Sequence, residues 1–136
     1  MPRLTFWAVR LSLGYLLAGF SLGALMLANK GMSYGAWTWR LLPLHVEFLL
    51  LGFICQLVIG IAYWILPRFL DGSRGNLAQY RASLICLNLG VWAAGCYGAF
   101  GLPGWVLLAG RVLEGFAVFL FLINAWLRVK SSFAKS

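Results

Sequence analysis

Four long apolar runs, flanked mostly by lysine and arginine, leave this chain few folds to choose from. They cover about residues 5–29, 42–66, 80–100 and 105–129. Each is close to the roughly 20 residues that a helix needs to cross a hydrocarbon core. The connections between them are short, so sequential helices are expected to be antiparallel neighbours, and no stretch is left over for a soluble domain. Composition points the same way. Hydrophobic residues make up 62% of the 136 and charged residues only 10%, against about 25% charged in a soluble domain. A water-facing surface cannot be built from so few charges. The expected fold class is all-α: one integral membrane four-helix bundle over residues 1–136, with lipid as its solvent.

The net charge of +8 raises the question of nucleic acid, and the placement of the cations answers it. Arg3, Lys30, Arg40, Arg68, Arg74, Arg81, Arg128, Lys130 and Lys135 flank the apolar runs. Flanking cations set topology and touch anionic headgroups; no basic patch on a base-reading fold is visible. The segment between the second and third runs and the C-terminal tail hold most of them. The positive-inside rule therefore puts both termini in the cytoplasm and His45 near the outer surface. Arg10 lies one to two turns inside and can snorkel back. The first run is too long for the roughly 7–15-residue core of a signal peptide, so it is expected to stay as a spanning helix. Trp37 and Trp39, in the connection Gly31 to Trp39, suit an aromatic belt on a short interfacial turn. The expected location is multi-pass, in a bacterial or organellar inner or cell membrane.

Cys55, Cys86 and Cys96 lie inside apolar runs and include no CxxC pair. They offer neither a disulfide framework nor a metal knuckle and behave as small hydrophobes. Small residues at helical spacing, Gly19-x-x-x-Gly23, Gly90/Ala94/Gly98 and Gly110/Gly115, point to close helix approach in lipid. Gln56, Asn88 and Asn124 are uncharged polar residues at membrane depth, for which interhelical hydrogen bonding is the default.

Leu41 to Phe69 carries the chemistry. It holds the single histidine and one of only three acids. At 3.6 residues per turn His45, Gly52, Gln56, Gly60 and Tyr63 fall on one narrow stripe, to be turned towards protein or a cofactor. Gly52 leaves a groove two turns from the imidazole, usable by a flat macrocycle or by a neighbouring aromatic ring. By depth along the helices, Glu47, Arg111 and Glu114 gather with His45 in the outer third of the bundle. One reading is an internal ion pair that fixes helix order. The other is a cofactor or quinone site, where Arg111 suits a haem propionate and His45 an axial iron position.

The pattern His45-x6-Gly52-x7-Gly60-x2-Tyr63-x3-Pro67-Arg68 resembles the second transmembrane helix of subunit I of the haem–copper oxidase superfamily, including its nitric oxide reductase and NnrS-like relatives. The resemblance implies that His45 ligates a low-spin haem near the outer surface, and that the four helices correspond to one unit of a twelve-helix, pseudo-threefold bundle. It covers about thirty residues. The family's other histidines lie on helices absent here, and one histidine cannot build a haem–copper centre. Reduction of oxygen or nitric oxide by this chain alone is therefore not expected. With no CxxCH, the implied cofactor is noncovalent haem b. Its sixth ligand would come from His45 of a second copy, a partner subunit, Met26 or Met32, or be absent.

The resulting expectation is a small subunit of an oligomer or larger membrane complex. It binds haem b through His45 for electron transfer, with Arg111 and Gly52 at the cofactor and Glu47 and Glu114 balancing charge. The alternative is a non-redox structural or assembly subunit that kept the fold and lost the cofactor. A proton-coupled transporter, with Glu47 or Glu114 carrying the proton, is a third reading. It is weakened by the lack of an acid in the first helix.

Overall fold

The four prolines, Pro2, Pro43, Pro67 and Pro103, mark where helices begin and end, because a proline inside a helix removes a hydrogen bond and clashes with the preceding turn. Pro2 is the N-cap of the first helix, Arg3–Met32, which closes on Ser33 in the left-handed conformation. The second helix, Ala36–Ile65, opens as a tight 3-10 turn from Ala36 to Leu41. It becomes α-helical at Leu42 with Pro43 in the first turn, where a missing N–H costs nothing, and stops just before Pro67. The third helix is Leu77–Phe100. The fourth, Gly104–Phe133, starts directly after Pro103. The computed structural model describes residues 2–33, 35–69 and 72–133, the last three by backbone only. The flanking cation Lys135 lies outside the described residues.

All four helices are long and apolar enough to cross a membrane, and no strand occurs among the described residues. The chain is an all-α, multi-pass membrane bundle. Two helix starts differ from the sequence expectation. The third begins at Leu77 rather than near residue 80, because the Asn76 side chain accepts hydrogen bonds from the backbone N–H groups of Ala78 and Gln79, at 2.9 and 3.2 Å. That arrangement satisfies donors that a bare helix end leaves orphaned. The second begins six residues early through its 3-10 turn, on which Trp37 and Trp39 stand exposed.

The second helix is also irregular at its middle. From Phe48 to Cys55 it is wound as a π-helix, so that the Gln56 N–H reaches back to the Leu51 carbonyl, five residues earlier. Wide turns of this kind are uncommon and frequent at functional sites. Gly52 lies within it.

Packing follows chain order: first helix on second, second on third, third on fourth. Small residues set the closest approach. A methyl group on Gly90 would lie 2.9 Å from the Gly110 carbonyl oxygen, and one on Gly110 would lie 2.8 Å from the Ala94 nitrogen. The Gly90/Ala94 pair therefore serves the fourth helix, whereas Gly98 packs against Pro43 of the second. Gly115 has open space around it and takes no part in packing.

Outward-facing residues are apolar: Leu17, Leu27, Trp105, Phe100 and Trp126 are all at least 70% exposed. Inside, polar groups join the core. Ser83 Oγ donates to the Ala117 carbonyl at 2.7 Å, and Gln79 Nε2 to the Leu120 carbonyl at 3.1 Å. An apolar outside with polar groups bonded between helices is the pattern that lipid favours, although Thr5 Oγ1, Tyr80 Oη, Glu114 Oε1 and Asn124 Oδ1 are buried without a hydrogen-bond partner.

Candidate functional site

The His45 stripe is packed against the first helix along most of its length. Gln56 Nε2 donates to the Ala8 carbonyl at 3.2 Å, and Gly60 lies against the Ala8 side chain. The Gly52 groove is filled by an aromatic ring: a methyl group there would stand 2.6 Å from Tyr15 Cγ. Tyr15 is fixed in turn, its hydroxyl donating to Asn88 Oδ1 at 2.8 Å. Asn88 Nδ2 donates to Gln56 Oε1 at 2.7 Å and to the Leu84 carbonyl at 2.8 Å. Gln56 and Asn88 thus make the interhelical bonds expected of them. Asn124 does the same through Nδ2 and the Asn76 carbonyl, at 3.0 Å.

His45 itself is seated on Gly19 and Gly23. Its Nδ1 lies 2.7 Å from the Gly19 carbonyl oxygen, and a methyl group on Gly23 would stand 2.7 Å from Cε1. A carbonyl only accepts, so this contact requires the proton on Nδ1 and leaves the lone pair of the neutral ring on Nε2. Among the described residues Nε2 has no hydrogen-bond partner. The glycine spacing was visible in the sequence, but the ring it receives was not.

Glu47, Arg111 and Glu114 form a second cluster. Arg111 Nη2 donates to Glu47 Oε1 at 2.5 Å and Nη1 to Glu114 Oε2 at 2.9 Å. The two carboxylates are 6% and 7% exposed, whereas the Arg111 side chain is 50% exposed. His45 does not join them, contrary to the expectation from depth alone. Residues 45 and 47 are about 200° apart around a helix; the imidazole faces the first helix, while Glu47 lies beside Gly95 of the third. Depth was legible and azimuth decided. Both of the guanidinium groups' terminal nitrogens are engaged by carboxylates, so Arg111 works first as an ion-pair lock between the second and fourth helices.

Arg128, read from sequence as a flanking cation, is fully buried. Its Nε donates to the Pro67 carbonyl at 2.9 Å, Nη1 to that of Tyr63 at 3.1 Å and Nη2 to that of Leu66. The guanidinium also lies over the Tyr63 ring, 5.2 Å from its centroid, and Tyr63 stacks on Tyr80 at 3.7 Å. The last carbonyls of a helix lack partners within it and carry partial negative charge. A fork-shaped cation with several donors satisfies them together.

Among the described residues no three His, Cys, Asp or Glu side chains come together where they could hold a metal ion. Fold and site define a class, a multi-pass helical membrane protein with one anchored imidazole and a buried ion-pair lock. Compared with protein-family models, curated proteins and solved structures, the chain matches none.

Proposed function

We propose that this chain is a small membrane subunit that binds haem b through His45 and takes part in electron transfer within an oligomer or larger complex, its termini on the cytoplasmic side. The observation that carries the reading is the 2.7 Å contact between His45 Nδ1 and the Gly19 carbonyl. Imidazoles that ligate metals commonly donate their other N–H to a carbonyl or carboxylate, which fixes tautomer and ring orientation and raises the basicity of the ligating nitrogen. Haem, when bound, supplies one-electron chemistry. The chain's own part is to hold the ring against Gly23 and to present Nε2 as a lone-pair donor.

His45 would hold the iron through Nε2; Arg111 and Gly52, the other two residues expected at the cofactor, have other tasks. Arg111 is engaged by two carboxylates, and Tyr15 fills the space at Gly52. The ligand assignment therefore rests on His45, and the rest of a haem site is to be sought in a second copy or a partner subunit.

Those same two features favour a second reading, a structural or assembly subunit without cofactor, in which the Glu47–Arg111–Glu114 lock holds helix order. A dithionite-reduced minus oxidised absorption spectrum of the gently purified protein separates the two. A b-type signal supports the haem subunit. A colourless protein that stays colourless when haem is added overturns it in favour of the structural one.

A further inference from the structure

The first helix packs on the second, and the third on the second and fourth, but the first and third scarcely meet each other, and this leaves an open trough between them. Its walls are Leu4, Trp7 and Leu11 on one side and Leu84, Ile85 and Leu89 on the other. The volume is about 510 Å³, within the roughly 300–1,000 Å³ of ordinary ligand pockets. Gln56 and Asn88 form its floor and Arg81 stands at its rim.

Two observations select the occupant. First, the amides of the floor are already used. Asn88 bonds Tyr15, Gln56 and Leu84, and Gln56 bonds Asn88 and Ala8. Both N–H groups of Asn88 are taken and Gln56 is fully buried, so a ligand with a hydrogen-bonding ring finds no free donor on Asn88, whereas a hydrocarbon chain needs none. Second, Arg81 is exposed and has no acid partner among the described residues. Of the chain's three acids, Glu47 and Glu114 are both taken by Arg111, and Asp71 lies outside the described residues. A cation without a counter-charge among the described residues, at the mouth of an apolar trough, complements an anion that carries a long chain.

We propose that this trough is a binding site for an anionic glycerophospholipid, one acyl chain lying between the first and third helices and the phosphate resting on Arg81. A juxtamembrane arginine favours anionic headgroups by roughly fivefold in affinity. Filling the trough should matter more than neutralising its rim, since the chain supplies most of the buried contact.

Native mass spectrometry of the detergent-solubilised protein, titrated with phosphatidylglycerol or phosphatidylcholine, tests the assignment. The expected result is one tightly retained phosphatidylglycerol per chain, favoured over phosphatidylcholine by roughly fivefold. Arg81→Gln should abolish the preference while leaving some binding, and Leu89→Trp, at an exposed wall position, should remove the retained lipid. Equal retention of both lipids by the native chain, or a preference unchanged in Arg81→Gln, overturns the proposal. So does displacement of bound phosphatidylglycerol by an isoprenoid quinone or by a copurifying polypeptide, which would make the trough the site of that occupant.

Discussion

At the scale of single residues, one glycine and one arginine decide what the polar groups can do. Gly23 exists to let the His45 ring lie against the first helix. Replacing it with leucine puts carbon where Cε1 now sits, and overpacking of that kind costs about 1–3 kcal/mol. Gly23→Leu should lower the thermal midpoint and displace the imidazole, whereas Gly115→Leu, facing open space, should do neither. Paired melting curves in one detergent would check this. Arg111 faces two buried carboxylates, so its removal is worse than the removal of either acid. Arg111→Gln should destabilise by about 3 kcal/mol, the scale of a broken buried pair, and Glu114→Gln by distinctly less, because a one-to-one pair with Glu47 remains. Equal losses would mean that the lock is not a three-membered unit. The members of this lock were legible from their depth in the helices. The separation of His45 from it was also latent in the sequence, in the two-residue offset between positions 45 and 47, which a depth argument ignores.

At the scale of helices, ends were harder to read than middles. Apolar length locates a spanning segment because lipid enforces it. Helix ends depend on caps, and a cap can come from far along the chain. Arg128 closes the second helix from more than sixty residues away, and nothing in its local sequence separates it from an ordinary flanking cation. Arg128→Lys keeps the charge but loses the fork that reaches three carbonyls. The expected outcome is faster amide exchange in the last turn of the second helix, with little change in the third. Retained protection would show that the carbonyls have other adequate partners. The π-helical stretch was equally invisible. Its residues, Phe48 to Cys55, are apolar apart from Gly52, and no composition rule distinguishes them from a regular turn.

For the whole molecule, lipid inverts the usual rules. The surface is hydrocarbon, and the core owes much of its order to hydrogen bonds linking Tyr15, Asn88, Gln56 and the Ala8 backbone. Those residues, not a stripe of leucines, set how the first three helices meet. The fold class was legible from composition and run length; the pairing of the stripe with Tyr15, Gly19 and Gly23 was not, because spacing shows which residues share a face and not which neighbour they meet. Function, on this account, turns on one nitrogen, Nε2 of His45. The most direct measurement is the haem content and reduced-minus-oxidised spectrum of the native protein beside His45→Ala, with and without added imidazole. The account predicts a b-type signal that disappears in His45→Ala and returns in part with imidazole. A His45→Ala protein that is folded and keeps the native spectrum would contradict it.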